Sequence, residues 1–482
     1  MENTFWRDIR NIGLALAGLI LLVFIIYKIV EKDKGRIIAL PSKTYYVAVN
    51  GNDNNSGTFT SPFATWQKGF STVTAGDTLY IRGGTYKPVG TNTNNVYLGY
   101  VGAYINGKSG TAANPIVVRS YKNEVPILDC INMRQTSVHI GVCLFNVNYW
   151  KLYGLTVMNA KQMPGQKSSP GFLGYNMNYS VFERLVGHDN GGSGIAIKWE
   201  SDENWIKNCD GYNNVDQYTG GDDADGIEVS FIQYRAGNPR KNYIVGCRGW
   251  HNSDDGFDFY SGDGILVIEN NWAWRNGAYM GIGSGIKVGS SNRTEYANAG
   301  IVQRIVKNNI SAYNDAYGFA TNNLKGIVLW ENNISFHNVS PSTSYVSYGY
   351  ERWHNNYKST FLNNVSLEDQ NTISGLGTGK GPSIETGNSW QSGFAVTRSS
   401  FISVDTTELK WPRKANGDLP DILAFKRKGF VPPPVDPPVD TVIVPPIVPP
   451  IRDTIFIHDT VFIDPIDTVF LKVRKGTKVV ID

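Results

Sequence analysis

An asparagine recurs along the middle of this chain at a spacing that alternates between 24 and 38 residues. Segments such as IVGCRGWHN (244–252) and IENNWAWRN (268–276) align on it, and each ends with the recurring residue. The series comprises Asn190, Asn214, Asn252, Asn276, Asn314 and Asn338. A base period near 24 residues with tolerated insertions indicates a solenoid in which each unit is one coil.

The coils are predicted to consist of β-strands. The repeats contain short runs of β-branched and aromatic residues between turns rich in glycine and asparagine, and they lack helical periodicity. A length of 482 residues is too great for one ordinary compact core but suits one elongated repeat domain. We therefore predict an all-β fold, a parallel β-helix, over residues 44–428.

Side chains at equivalent positions of successive coils are expected to stack. The recurring asparagines are predicted to form a ladder of side-chain amides that satisfies buried backbone groups. The same repeat generates three N-x-S/T sequons, which we interpret as ladder residues and not as glycan sites: Asn309, Asn333 and Asn364. An apolar column is predicted from Ile206, Ile244, Ile268, Val306 and Trp330.

Cysteine and tryptophan usage fits a packed solenoid. The four cysteines show no C-x-x-C spacing, so we expect buried small hydrophobic residues, with a disulfide as the alternative. Trp250 and Trp274 share a repeat register and are predicted to belong to the core, although aromatic residues also stack on sugars. Lys and Arg number 45 against 42 Asp and Glu, which gives no indication of a nucleic-acid partner, and we expect none. We expect a monomer.

An apolar segment precedes the predicted domain. After a flank of residues 1–11, the run IGLALAGLILLVFIIY begins at residue 12, and apolar character extends to residue 30. At about 1.5 Å per residue, residues 12–30 can just span a bilayer core of about 30 Å. We expect a retained transmembrane anchor followed by a linker of residues 31–43, with a cleaved signal as the alternative.

The chain ends in two segments of unusual composition. Residues 429–452 are rich in proline and are predicted to be an extended, semi-rigid linker. Residues 453–482 carry DTVFI-type repeats, which are compatible with strands or with a disordered spacer. We expect an extracytoplasmic β-helix that is anchored at the cell surface or secreted.

The stretch HNSDDGFD (251–258) places three aspartates within five positions. Each coil continues after its asparagine with a glycine and a large apolar residue, as in Gly226-Ile227 and Gly256-Phe257. Because successive coils lie about 4.7–4.9 Å apart, this register stacks Asp225 beside Asp255. We expect Gly256 to permit the unusual dihedral angles that the turn requires.

The same register places Asp258 between Glu228 in the preceding coil and Lys287 in the following coil. Crowded carboxylates raise one another's pKa or require a cation. Oxygen ligands without histidine or cysteine suit a hard ion, and several carboxylates in a flexible loop favour calcium over magnesium. The alternatives are a solvated acidic turn paired with Lys287 and a purely structural calcium site.

At these residues the sequence resembles polysaccharide lyase family 9, the calcium-dependent pectate lyases with a right-handed parallel β-helix. The resemblance covers most of residues 44–428. The matching stretches are NGNDNNSGTFTSPFATWQKG (50–69), ADGIEV (224–229), CRGWHNSDDGFDFY (247–260), GSGIKVG (283–289), NDAYGFATNN (314–323) and PRKANGDLPD (412–421).

The resemblance implies a set of functional residues and a reaction. Lys287 is implied as the Brønsted base, and the implied calcium ligands are Asp225, Asp254, Asp255 and Asp258. The implied reaction is β-elimination in a 4-linked uronic-acid polysaccharide such as pectate. Two alternatives are a lyase for another acidic glycan and a non-catalytic, calcium-binding β-helix that binds surface glycans.

Two features depart from the family pattern. Glu228 stands where the family usually has a small residue, and it is a further candidate metal ligand or a source of crowding. The segment 230–243 is longer than usual, and we predict that three basic residues in it bind the acidic chain, unless they only solvate a loop: Arg235, Arg240 and Lys241. Asp222 and Asp223 are interpreted as part of a solvated turn.

Overall fold

A computed structural model describes residues 42–429, apart from 96–97, 134–137, 167, 234–239, 263, 290–301, 323, 325, 342–346, 352–358 and 375–382. The predicted anchor and the C-terminal tail lie outside the described residues, as does the proline-rich linker from residue 430 onward. No helix in the described ranges is long and apolar enough to cross a membrane.

The described chain winds repeatedly through three sheets, and successive coils add neighbouring strands to each sheet. Within the described residues, twelve strands form the first sheet: Thr44–Val47, Thr78–Ile81, Ile116–Ser120, Trp150–Tyr153, Val181–Glu183, Trp205–Lys207, Lys241–Val245, Ile265–Glu269, Val302–Lys307, Ile327–Glu331, Thr360–Leu362 and Ile384–Thr386. Ten described strands form the second sheet: Gly84–Tyr86, Pro126–Asp129, Thr156–Met158, Val186–His188, Asp210–Tyr212, Arg248–Trp250, Trp272–Trp274, Ile310–Ala312, Ile334–Phe336 and Val365–Leu367.

The third sheet carries the candidate site. Its nine described strands are Thr91–Asn92, Tyr100–Asn106, His139–Phe145, Phe172–Tyr175, Ile195–Lys198, Ile227–Ser230, Phe257–Asp258, Ile286–Lys287 and Phe319–Ala320. Its first pair is antiparallel, whereas the coils stack in parallel. The predicted all-β solenoid of parallel strands is therefore confirmed.

Helical structure is confined to short segments in the described part of the chain. The α-helix Trp66–Thr72 begins after Thr65, whose hydroxyl accepts a hydrogen bond from the Lys68 amide at 3.1 Å. Trp66 and Phe70 are buried in the main core, so the helix extends the core at the N-terminal end of the solenoid. The 3₁₀ turns are Cys130–Asn132, Arg398–Ser400 and Thr406–Lys410.

The predicted asparagine ladder is confirmed. The side-chain amide of Asn252 donates to the Asn276 side-chain oxygen at 3.0 Å, and Asn276 donates to Asn314 at 2.9 Å. The same bonds link Asn190 to Asn214, Asn214 to Asn252 and Asn314 to Asn338. From Asn214 onward, each ladder oxygen also accepts the backbone N–H of the preceding coil's asparagine, so the ladder satisfies buried donors.

A second ladder runs along the turns between the first and second sheets. The sequon residues Asn309, Asn333 and Asn364 are fully buried in it and donate side chain to side chain at 2.9–3.0 Å. Their interpretation as ladder residues is confirmed. Cys209 and Cys247 occupy the equivalent position in earlier coils, where the Cys209 amide donates to the Cys247 sulfur at 3.4 Å. All four cysteines are free and buried, as predicted.

The apolar column inside the solenoid also has the predicted register. Ile206, Ile244, Ile268, Val306 and Trp330 are successive strand partners and are at most 1% exposed. The outer face of the second sheet has a separate apolar cluster, in which Trp250 and Trp274 stack at 4.8 Å. Trp274 is buried as predicted, whereas Trp250 is half-buried, and neither belongs to the main core. Their cluster is completed by residues 401–425, called here the C-terminal segment.

A buried ion cluster fastens the C-terminal segment to the solenoid. Asp210 accepts from Arg248 at 2.7 Å and from Arg413 at 2.6 Å. Arg248 also donates to the carbonyl of Trp411 at 2.9 Å, and Arg413 donates to the carbonyl of Gly246 at 2.9 Å. One carboxylate thus holds two guanidinium groups that join residues more than 160 positions apart.

Replacing Asp210 with alanine is expected to lower the free energy of unfolding by about 3–5 kcal/mol, because two buried guanidinium groups would lose their carboxylate. Chemical denaturation of the purified protein measures this change. The matched control is Asp421→Ala, which removes an exposed carboxylate that pairs with Lys414 at 2.7 Å in the same segment. Similar unfolding midpoints for the two variants would contradict the fastening role of Asp210.

Candidate carboxylate–lysine site

The third sheet brings three of the predicted site residues into one column on its outer face. Ala196, Glu228, Asp258, Lys287 and Ala320 are successive strand partners, so the predicted register is confirmed. Their neighbours in the chain, such as Phe257 and Ile286, point into the buried core. Alternation along each strand therefore turns the polar residues away from the core.

Glycines before the site strands allow the coils to approach closely. A Cβ atom on Gly226 would lie 2.5 Å from the carbonyl oxygen of Gly256, and one on Gly256 would lie 2.7 Å from that of Gly285. Gly256 does not have a positive φ. The expectation that it supplies unusual dihedral angles is wrong, because the requirement at this position is space for the next coil.

Three carboxylates converge from adjacent coils. Asp225, Asp255 and Asp258 are buried, and each offers one oxygen so that the three lie within 4.8 Å of one another. Asp225 accepts the Asp255 amide at 3.2 Å, and Asp255 accepts the Ser284 amide at 2.6 Å. These backbone donors fix the orientation of two of the three carboxylates.

Lys287 and Asp254 complete the cluster. The Lys287 ammonium contacts Asp255 and lies 3.3 Å from Asp258 and 3.7 Å from Asp254. Asp254 itself accepts from the Gly283 amide at 3.4 Å. The four predicted aspartates and the predicted lysine are therefore brought together, with Asp254 at the edge of the group.

Burial and mutual repulsion disfavour the ionised forms of the carboxyl groups in this cluster. Burial, with Asp255 and Glu228 nearby, raises the pKa of Asp258 to about 7 even though Lys287 opposes the shift. Burial and neighbouring carboxylates also hold the pKa values of Asp225 and Asp254 well above the usual range. Without a bound cation, these carboxyl groups therefore keep their protons to higher pH than exposed aspartates do.

The same carboxylates favour the charged form of Lys287, whereas they disfavour the charged forms of one another. Burial alone would lower the pKa of Lys287, but the surrounding carboxylates, led by Asp255 and Asp258, outweigh burial and raise that pKa well above its ordinary value. Lys287 therefore keeps its proton as long as the neighbouring carboxylates are ionised. Neutralising those carboxylates would remove the interaction that keeps it charged.

The cluster has the donor chemistry of a site for a hard cation. Its converging atoms are carboxylate oxygens, which calcium prefers. The Asp258 Oδ1 atom is buried and accepts no hydrogen bond from any described residue, so it has a free acceptor position. A divalent cation would stabilise the ionised carboxylates in place of protons, and the residues present fit such an ion.

Glu228 is engaged in a different interaction. Its carboxylate forms an ion pair with Lys198 at 2.7 Å. It also accepts hydrogen bonds from the hydroxyl groups of Ser193 at 2.9 Å and Ser230 at 2.6 Å. The Lys198 ammonium and these hydrogen bonds lower the pKa of Glu228 despite its burial. Lys198 was missed at the sequence level, although its position two residues after Ala196 places it on the same outer face of the strand.

Two insertions flank the coil that carries Asp254 and Asp255. The loops 215–223 and 277–283 lie before the strands of Glu228 and Lys287, and a Cβ atom on Gly281 would lie 2.2 Å from the Gly221 carbonyl oxygen. Buried Asp216 accepts from Ser253 at 2.8 Å and so ties the first loop to this coil. The sequence shows the extra residues of both loops, but it does not show their mutual contact.

Arg240 and Lys241 are placed away from these contacts. Arg240 lies over the Tyr179 ring at 5.4 Å, and Lys241 begins a strand of the first sheet. Arg235 lies outside the described residues. Asp222 and Asp223 are exposed, as expected for a turn, although the Asp223 amide donates to Asp216 at 3.0 Å.

Known proteins share this architecture. Residues 45–371 match the family model described as Pel9A-like, right handed beta helix region. The chain is 30% identical over 396 residues to pectate lyase L of Dickeya dadantii (strain 3937), covering 80% of this chain and 83% of that protein. The crystal structure of pectate lyase Pel9A superimposes with a TM-score of 0.62 at 27% identity, over 80% of this chain and 89% of its own. The structure of a rhamnogalacturonan lyase gives a TM-score of 0.67, also at 27% identity, over 80% and 97% of the two chains.

Proposed function

Because the chain belongs to the Pel9A-like right-handed β-helix family of polysaccharide lyases, we propose that it cleaves a 4-linked uronic-acid polysaccharide, pectate or polygalacturonate, by β-elimination with calcium as cofactor. The observation that carries this proposal is the contact of Lys287 with a buried group of carboxylates drawn from two neighbouring coils. A base and a site for a hard cation are thereby adjacent.

The proposed cofactor site consists of Asp225, Asp255 and Asp258, with Asp254 at its edge. Calcium held there would supply a Lewis acid that neutralises the uronate carboxylate and makes its C5 proton more acidic. Glu228 is not included among the proposed ligands, because its oxygens already receive Lys198, Ser193 and Ser230.

Lys287 is the proposed base. Its neutral amine would take the C5 proton, and the electron pair left at C5 would form the C4–C5 double bond as the bond from C4 to the glycosidic oxygen breaks. The reaction needs the neutral amine, so the pKa of Lys287 has to fall from its raised value. Charge neutralisation of Asp255 and Asp258 provides that fall, because these carboxylates are what raise it.

A second substrate is supported by a specific observation. The rhamnogalacturonan lyase structure matches this chain as well in identity as the pectate lyase structure does and covers nearly all of its own length. Rhamnogalacturonan is also an acidic glycan, so the same lysine and cation site would serve it. The roles of Arg235, Arg240 and Lys241 in binding an acidic chain stay a prediction.

A polymeric substrate also bears on location. A polysaccharide does not cross a membrane unaided, so we propose that residues 44–428 act outside the cytoplasm. Residues 12–30 would then either anchor the protein at the cell surface or be removed on secretion.

The purified full-length chain, incubated with polygalacturonate or with rhamnogalacturonan at alkaline pH, tests the function. We expect a rise in ultraviolet absorbance from the unsaturated uronide product in the presence of calcium, and none with a chelator. A rise on rhamnogalacturonan alone would transfer the proposal to the second substrate. Cleavage that yields only saturated ends would show hydrolysis and would contradict elimination.

Calcium should stabilise the protein more at about pH 8 than at about pH 5. In the absence of calcium, Asp258 has a folded pKa of about 7 against about 3.9 in an unfolded chain. Between these values the folded protein binds more protons than the unfolded chain, so stability falls as pH rises from about 4 to 7. Calcium would replace those protons and abolish the loss above pH 7.

Thermal unfolding at both pH values, with calcium or with a chelator, measures this effect. Asp258→Asn is the comparison variant, because it removes the titrating carboxyl group and should flatten the decline in the chelated protein. An equal calcium shift at both pH values would show that the carboxylate cluster does not bind the ion.

A further inference from the structure

A cleft lies beside the carboxylate–lysine site, at the turns that join the second sheet to the third. Its volume is about 310 Å³, and it is lined by His251, Arg275, Ala278, Tyr313 and Asp315. Ligand pockets in proteins span roughly 300–1,000 Å³, so this cleft is at the small end of that range. Its size suits a single sugar residue better than a long oligosaccharide.

The cleft contains the guanidinium group of Arg275 beside aromatic rings. Arg275 is exposed, lies 6.0 Å from the Tyr313 ring centroid, and forms no ion pair with a carboxylate among the described residues. Tyr279 is 64% exposed and meets the His251 ring edge-on at 5.8 Å. An exposed guanidinium without a carboxylate partner among the described residues, set beside the half-buried ring of Tyr313, has the chemistry to bind an anionic sugar.

The cleft and the carboxylate–lysine site share one loop. Ala278 and Tyr279 belong to the loop 277–283, whose last residue, Gly283, donates its amide to Asp254. The next residue, Ser284, donates to Asp255 at 2.6 Å. The loop 277–283 therefore connects the cleft with the carboxylate–lysine site.

We propose that this cleft is a subsite for an acidic sugar residue next to the one that is cleaved. Arg275 binds its carboxylate, the rings of Tyr279 and Tyr313 contact its C–H faces, and Asp315 accepts hydrogen bonds from its hydroxyl groups. The inference rests on the proposed function, because it takes the substrate to be an acidic polysaccharide. It adds Arg275 as a residue that selects negatively charged sugars at a distance from the reacting atoms.

Direct binding tests the subsite without turnover. The full-length Lys287→Ala protein with calcium is titrated calorimetrically with size-defined oligogalacturonate and with rhamnogalacturonan oligosaccharide. Adding Arg275→Ala is expected to weaken binding about tenfold, as the loss of a charge-assisted hydrogen bond would. Arg275→Lys should restore part of the affinity, since it returns the charge without the planar fork.

The matched control is Arg119→Ala, which removes an arginine that also lies over tyrosine rings, those of Tyr80 and Tyr153, on the first sheet. We expect this control to leave the affinity unchanged. If the Lys287→Ala protein binds and Arg275→Ala binds equally well, the subsite is wrong while the proposed function stands. If the Lys287→Ala protein binds neither oligosaccharide, both the subsite and the proposed substrate class are wrong.

Discussion

Replacing Lys287 with alanine is expected to lower kcat by about 10²–10⁴-fold, the range that a positioned general base contributes. The ammonium group lies within 3.7 Å of three aspartates, and it is the basic group in direct contact with the carboxylate cluster among the described residues. Initial rates of product absorbance on the preferred polysaccharide, with calcium in excess, measure the loss.

Two further variants make the Lys287 result specific. Lys287→Arg keeps the positive charge but holds its proton at any working pH, so it should be nearly as inactive as the alanine variant. Lys307→Ala removes a lysine that pairs with Glu331 at 2.8 Å on the first sheet, and it should retain full activity. Appreciable activity in Lys287→Arg would show that the side chain supplies charge and that another group takes the proton.

The rate should also depend on pH in the way expected for a lysine base. The fraction of neutral amine grows as pH rises, so kcat should increase toward alkaline pH. Nearby carboxylates raise the pKa of Lys287 and so place this increase at higher pH. Higher calcium should shift this rise to lower pH, since neutralised carboxylates no longer stabilise the ammonium. A rate that falls throughout the alkaline range would contradict a lysine base.

Asp255→Asn is expected to weaken calcium binding by roughly ten- to hundredfold and to lower activity at limiting calcium in proportion. Asparagine keeps an oxygen that can accept the Ser284 amide, so the local backbone is preserved while one negative charge is lost. Calorimetric titration with calcium measures the affinity directly and is independent of turnover.

The control for this variant is Asp421→Asn, which removes an exposed carboxylate that pairs with Lys414 at 2.7 Å away from the site. We expect its calcium affinity to match that of the unmodified protein. Glu228→Gln provides a second comparison, because Glu228 is paired with Lys198 and is not a proposed ligand. A loss in Glu228→Gln as large as that in Asp255→Asn would add Glu228 to the metal site.

The repeat made much of this structure predictable. In a solenoid, the neighbour of a residue in the next coil lies at a fixed offset along the chain, so a linear pattern specifies a spatial contact. For this reason the stacking of Asp258 between Glu228 and Lys287, and the ladder through Asn252 and Asn276, could be predicted before the fold was described.

Other features of the site lay beyond the repeat. The pairing of Glu228 with Lys198 depends on side-chain reach across two strands, not on register alone. The role of Gly256 depends on how closely the next coil approaches. The contact between the loops 215–223 and 277–283 depends on inserted residues that have no equivalent in neighbouring coils.

The sequence by itself determined the solenoid, its register and the stacking of Asp258 between Glu228 and Lys287, because each of these follows from residues at repeating offsets. Only the tertiary structure decided which carboxylates converge within 4.8 Å, where the cleft at Arg275 lies, and how the C-terminal segment covers the second sheet. These arrangements depend on burial and on contacts such as Asp210 with Arg413, which are 203 positions apart. No periodic pattern in the chain specifies contacts of that kind.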